Sequence, residues 1–217
     1  MAAPTRSTES QQEITAPNLQ VATFRITGIA PYVQLKFSEK GKNEMEAKQA
    51  AGSVAKASSK ARKPKDFDEL YQEAIHYSEE GWAGIPAPAF RNGMISACRL
   101  VGMTMTLAKL AVFVIPDGID REDATPLVRI TQGEPSKFLS ICRNATGVID
   151  LRVRAKWGMG WQAEPQVQFD ADVLSLNNVT NLLARVGAQV GIGEGRPDSK
   201  RSAGMGWGLF RLDSSEA

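Results

Sequence analysis

The densest chemical signal in this chain runs from Val190 to Phe210. Six glycines (Gly191, Gly193, Gly195, Gly204, Gly206 and Gly208) and three cations (Arg196, Lys200 and Arg201) fall in that stretch. Glycine adopts positive φ at little cost and lets backbone N–H groups approach an anion closely. Concave runs of such amides hold phosphates. A nucleotide-binding P-loop requires GxxxxGK(S/T) between a strand and a helix. Here Lys200 follows Ser199, and the dozen or so residues after Gly204 read as strand. No helix N-terminus is left to face a phosphate, which discounts NTPase and Rossmann dehydrogenase readings alike. A tightly packed hairpin would explain the glycines, but not the clustering of Arg196, Lys200 and Arg201.

Other reactive residues are sparse. Asp117, Asp120, Glu122 and Asp123 form an acidic loop, read as a solvated turn with cation binding as the alternative. A metal-dependent nuclease would rest on Asp117 and Asp123. The one histidine, His76, falls mid-helix after an apolar stripe, which suits a structural or exposed residue better than a general base. Cys98 and Cys142 have no CxxC partner, so a zinc site is not expected, and both read as small core residues of a reducing compartment. No Ser–His–Asp or Cys–His arrangement can be assembled. No catalytic residue, metal or cofactor is expected. Trp82, Trp157, Trp161 and Trp207 read as core or interface aromatics, one or two of them available to stack on bases.

These residues need a scaffold, and 217 residues with 42% apolar content supply one. The net charge of +2 says little as a total, but its distribution is uneven. Residues 36–65 carry nine Lys/Arg against three Glu, and residues 66–80 carry six acids and no Lys or Arg. Residues 1–18 read as a disordered leader without a signal-peptide core, and no apolar run is long enough to span a bilayer. A first strand is expected over Val21–Ile29 and a second extended piece over Val33–Phe37. Glu44–Ala50 reads as helical and 52–65 as a flexible basic loop. Asp66-Phe67-Asp68-Glu69 resembles a capping box opening a helix to Glu80, stopped by Gly81.

Ile85–Ala89 is a rigid lead-in to a helix whose Phe90, Met94, Ala97, Cys98 and Val101 share one face. Leu107–Ile115 reads as a buried strand. In 117–147, Leu127–Ile130 and Phe138–Ile141 are expected to pair as a projecting hairpin. Ile149–Trp157 alternates cleanly, with Arg152, Arg154 and Lys156 opposite the apolar face, and is expected to turn at Gly158–Gly160 into a partner strand, Gln162–Phe169. Ser175 caps a helix over Leu176–Val186, with Gly187 after it. The last strand is Trp207–Leu212. Gly-Met-Gly-Trp occurs at 158–161 and 204–207 without making a repeat architecture. The order is that of an α+β, ferredoxin-like (RRM-like) βαββαβ core. It forms a single domain over 19–213, with a helical basic insert at 38–80.

The glycine tail resembles the C-terminal glycine-rich loop of the RAMP superfamily, the RRM-like proteins of CRISPR effector complexes. Tails of that family run roughly GxGxxxxGxGxF; Gly191, Gly193, Gly204, Gly206 and Phe210 fit with a longer middle. Ile85-Pro86-Ala87-Pro88-Ala89-Phe90-Arg91-Asn92-Gly93-Met94 is similar to the IPGSSLRGALR approach to the first helix of backbone subunits. Ala87 replaces the usual glycine there, and Pro88-Ala89 replace the serines. The helix Leu174–Val186 before the tail also fits, and the three matches span 21–212 in the family's order.

The resemblance implies nucleic-acid binding by a subunit that polymerises along its ligand. It implies phosphate contacts at Arg91 and Asn92, and N–H donors at Gly193 and Gly195 beside Arg196, Lys200 and Arg201. Segment 117–147 becomes a thumb-like hairpin, with Phe138, Leu139 and Ile141 as an apolar tip wedged between bases. Lys36, Lys56, Lys60, Arg62, Lys63, Arg143, Arg152 and Arg154 complete the candidate binding set. Relatives that cleave RNA use an aspartate in the loop after the first strand, and Pro31–Lys65 contains none. The expected function is therefore nucleic-acid binding without cleavage, by an oligomer or filament in the cytoplasm, encoded by a CRISPR system, a phage or another mobile element. A phage ring or tube subunit without nucleic-acid binding is the first alternative and a metal-dependent nuclease the second.

Overall fold

The structure is a computed structural model that describes residues 15–37, 39–50, 66–143, 149–199 and 204–213. Its first strand comes in two pieces, β1 (Leu19–Thr23) and β2 (Ile26–Gly28). After β3 (Tyr32–Gln34) come the helices α1 (Glu39–Ala50) and α2 (Phe67–Glu73) and the short strand β4 (Gly84–Pro86). The first core helix α3 (Ala87–Ala97), the short α4 (Met105–Ala111) and β5 (Val112–Ile115) follow. Then come β6 (Gly118–Ile119), β7 (Pro126–Gln132), β8 (Pro135–Arg143) and β9 (Ile149–Trp157). β10 (Gln162–Ala163), β11 (Gln166–Asp170), α5 (Leu176–Arg185) and β12 (Phe210–Leu212) close the chain.

The expected ferredoxin-like plan is present. Every neighbouring pair is antiparallel: β12 with β2, β1 with β11 and β2 with β10, then β11 with β5. That is the fourth, first, third and second strand of a βαββαβ unit. The first and third strands break together. At the break the Phe24 N–H donates to the Pro165 carbonyl at 3.1 Å, and Arg25 pairs with Glu164 at 2.9 Å. Pro165 cannot donate to a ladder, which is why the break falls there. α3 and α5 cover one face. Phe90, Met94, Ala97 and Cys98 meet Val179, Leu183 and Val186, all fully buried. Each large apolar side chain in that layer contributes roughly 1.5–3 kcal/mol. Cys98 is free, and its thiol donates to the Met94 carbonyl at 3.3 Å.

Several local expectations yield to tertiary contacts. Leu107–Ile115 is not one strand. α4 occupies its first half because Ala108 and Ala111, three residues apart, both bury there. The helix opened by Asp66 does accept N–H bonds from Asp68 and Glu69, at 2.9 and 3.1 Å. It ends at Glu73 rather than Glu80, because the Ala74 carbonyl takes the Lys36 N–H and the His76 N–H turns to the Gln34 side chain, both at 3.0 Å. His76 is therefore not helical.

The 127–130 and 138–141 segments do not pair. β7 joins β10 and β4, and the turn at Gly133-Glu134 sends β8 away to pair with β9 along nine residues. β9 in turn does not pair with 162–169; its second neighbour is β3. After α5 a π-helical turn carries the chain through Gly187 to Val190, and Gly191, at φ +72°, is the actual stop. Among the described residues no helix is long and apolar enough to cross a membrane.

Candidate nucleic-acid interface

Three elements build the face that the sequence reading pointed to: β3, the β8–β9 hairpin, and the glycine loop from Gly191 to Gly208. Pairing in β8–β9 sets Phe138 opposite Arg154, Ser140 opposite Arg152 and Ser136 opposite Lys156. Side chains alternate along a strand, so these share one side of the hairpin, while Leu139 and Ile141 lie on the other with Leu151 and Val153. The glycine loop packs on the first side. Trp207 meets Phe138 edge-on with ring centroids 5.6 Å apart, and Glu194 reaches Arg154 at 3.4 Å. Lys156 lies 4.9 Å over the Phe138 ring, a cation–π contact.

The loop's amides are mostly consumed at home. The Glu194 N–H donates to the Val33 carbonyl at 2.9 Å, and the Gly208 N–H to Pro31 at 2.7 Å. Ile192 donates to Gly208 at 3.1 Å and Trp207 to Gly195 at 3.3 Å. The glycines are dictated by this packing. Gly193 sits at φ +75°, where a Cβ would come within 2.6 Å of the Tyr32 ring and the Val33 carbonyl. Gly208 sits at φ +70°, where a Cβ would overlap the Ile192 carbonyl. These glycines dock the loop against β3, and the two amides expected as donors, those of Gly193 and Gly195, are not among the ones it engages in doing so. Asp198 holds the loop's far root. Burial disfavours its charge, but two hydrogen bonds from the Arg99 guanidinium, both 2.7 Å, outweigh that and lower its pKa.

The structure divides the expected cations sharply. Arg152 is exposed on the hairpin. Arg196 is half-buried on the loop, donating to the Gly193 carbonyl at 2.8 Å. Arg154 is on the same side but buried, held by Ser140 and Glu194. Arg91 does not face this surface. It clamps α3 to the following elements, donating to the carbonyls of Val112 (2.9 Å) and Lys109 and covering the Phe113 ring at 5.0 Å. Asn92, beside it, is exposed. Phe138, Leu139 and Ile141 do not form one wedge, because they sit on opposite sides of a strand. Lys56, Lys60, Arg62, Lys63, Lys200 and Arg201 lie outside the described residues, as does the Arg143 side chain.

Lys36 is a correction to the expected binding set. Its side chain is 3% exposed, with the ammonium 2.7 Å from Asp120 and 2.8 Å from Glu122. Asp120, fully buried, also accepts from His76 Nδ1 at 2.8 Å and from the Glu122 and Asp123 N–H groups. Burial opposes the Asp120 charge, but Lys36, these N–H groups and His76 outweigh it and hold the carboxyl at about 2. Burial likewise opposes the Lys36 charge, and its two carboxylate partners overcome it and raise its pKa.

His76, Asp120 and Asp123 place ligand atoms within 4.8 Å of one another, the spacing of a metal site. The Lys36 ammonium already stands where such a cation would neutralise Asp120, and the donor set fits an internal ion pair better than a metal. So Asp120 is no part of a solvated turn. It joins the residues after β3, the residues after α2 and the loop before β7. Sequence reasoning missed this network, although a lysine within an extended apolar piece and a lone histidine were its visible traces.

No protein-family model matches this chain, and no curated protein matches it. Among solved structures it is similar to a chain in the cryo-EM structure of the Type III-B Cmr-beta bound to cognate target RNA, with a TM-score of 0.52 and 11% identity. The similarity covers 91% of this chain and 60% of that chain. At that identity it speaks to the fold alone, and it agrees with the ferredoxin-like arrangement of strands and helices.

Proposed function

We propose that this protein binds a nucleic-acid strand along the glycine-loop side of the β8–β9 hairpin, without cleaving it, and associates with further copies of itself along the strand. One juxtaposition carries the reading. Lys156 lies over the Phe138 ring, Trp207 meets that ring edge-on, Arg152 follows along the same strand and Arg196 belongs to the same loop as Trp207. Cations beside aromatic faces are what a single strand needs: phosphates meet the charges and bases meet the rings. The RNA in the Type III-B Cmr-beta structure makes RNA the first ligand to test.

Binding of labelled single-stranded RNA and DNA, followed by anisotropy across salt concentration, tests the proposal. Affinity should fall with salt at a slope of roughly −0.7 per phosphate neutralised. R152E/K156E and R196E/K200E/R201E should each lower both the affinity and the slope. Absence of salt-sensitive binding to any oligonucleotide overturns the reading. It would favour a purely structural assembly protein, for which the apolar outer side of the hairpin, with Leu139, Ile141 and Leu151 exposed, is the supporting observation.

A further inference from the structure

α5 carries a polar stripe that neither the core nor the hairpin side uses. Val179, Leu183 and Val186 turn inward against α3. The neighbouring positions Asn178, Asn181 and Arg185 recur at three and four residues and share one face. Facing them is the turn that follows α3. There the Val101 and Met103 N–H groups both donate to the Cys98 carbonyl, at 3.2 and 3.0 Å, and Gly102 closes the turn at φ +68°. Stripe and turn enclose an open cavity of about 670 Å³, with Val101 and Met103 on one wall and the buried Leu182 on the other. Apolar walls with a few convergent polar groups, at this size, are the form of a small-molecule site. Past Arg185 the helix turns π-helical and the small Ala188 leaves that end of the cavity open. Such turns recur at functional sites.

Charge and hydrogen-bonding capacity say what the cavity fits. Arg185 is the one charged residue lining it. Its guanidinium donates to the Gln189 side chain at 3.2 Å and has no carboxylate partner among the described residues. Residues 84–116 and 173–193, which supply both walls, contain no acid. Asp198 lines the adjoining depression with Gln189, but it is already held by Arg99. The ligand therefore carries an anion. Asn178 and Asn181 are exposed beside the apolar wall. A carboxamide offers a donor and an acceptor side by side, which matches the edge of a nucleobase, as Asn matches adenine N6 and N7. At 1.5 Å per residue, Arg185 lies about 6 Å along the helix from Asn181 and about 10 Å from Asn178. That offset leaves room for a ribose between base and anion.

We propose that this cavity binds a nucleoside monophosphate. The base lies between α5 and the Val101–Met103 turn with its edge at Asn178 and Asn181, and Arg185 donates to the phosphate. The site is separate from the strand-binding side of the hairpin and does not depend on it.

The test is calorimetric titration of the full-length protein with 5′-adenosine monophosphate, adenosine and inorganic phosphate. The monophosphate should bind once per chain, with adenosine and phosphate each at least about tenfold weaker. R185Q should reduce the monophosphate to the affinity of adenosine. N181A should weaken the monophosphate and adenosine alike. Both variants change solvent-facing positions, so circular dichroism should remain that of wild type. R185Q should also leave the salt slope of oligonucleotide binding unmoved. No binding of the monophosphate up to its solubility limit overturns the proposal. So does an affinity that R185Q leaves unchanged, or a salt slope that it lowers, which would assign Arg185 to the strand instead. A protein that binds the monophosphate and no oligonucleotide would remove the strand reading and leave this cavity standing.

Discussion

Replacing Lys36 by Met sets the sequence reading directly against the structure. If Lys36 contacted phosphates, its loss would leave stability nearly unchanged and reduce the salt dependence of binding. In the structure the opposite is expected. The ammonium and the Asp120 carboxylate are 2.7 Å apart, with side-chain exposures of 3% and 0%. Removing one partner of a buried ion pair typically costs about 3–5 kcal/mol, because the remaining charge is left without compensation. Asp120 keeps His76 and two backbone N–H donors, which places the expected loss near the lower end, about 3 kcal/mol.

The assay is urea unfolding followed by tryptophan fluorescence. Restoring neutrality with K36M/D120N should recover part of the loss. The same network has a pH signature. Asp120 titrates at about 2 in the folded protein and near 3.9 unfolded. Its folded pKa is depressed, so its contribution is fully present above about pH 4 and is lost as pH falls through 2, roughly 2.5 kcal/mol in all. D120N should flatten stability across that window. An unchanged urea midpoint in K36M, together with a lowered salt slope of binding, would refute the reasoning.

Three further outcomes follow from the geometry. Glu194 holds Arg154 at 3.4 Å on the binding side, so E194Q should tighten oligonucleotide binding several-fold at low salt by removing a competitor for phosphate; unchanged affinity would exclude Arg154 from the interface. Gly208→Ala should cost about 2–4 kcal/mol in chemical denaturation, from left-handed strain plus overlap with Ile192. Gly206→Ala, at φ +73° with open space around it, should cost only about 1–2 kcal/mol. Arg91→Met should lower the melting temperature through the lost clamp on α4 and β5 while leaving the salt slope of binding unmoved, whereas a reduced slope would return Arg91 to the binding set.

What the sequence determined by itself was whatever depends on short-range periodicity. The apolar stripe of Phe90, Met94 and Ala97 and that of Val179, Leu183 and Val186 specified two core helices, since a 3.6-residue period has one cheap solution. The caps at Asp66 and Ser175 were legible because a side chain satisfies amides two or three residues away. Those elements in that order implied the ferredoxin-like plan.

The pairing of strands was decided only in three dimensions. Alternation marks β8 and β9 as strands but carries no address for a partner, and the turn at Gly133-Glu134 redirected the hairpin. The same limit hid the site. A lysine near apolar residues reads as a surface cation until Asp120, 84 positions away, is brought against it. The glycines of the tail signalled close backbone approach correctly, and only the fold showed that what approaches is the protein's own β3.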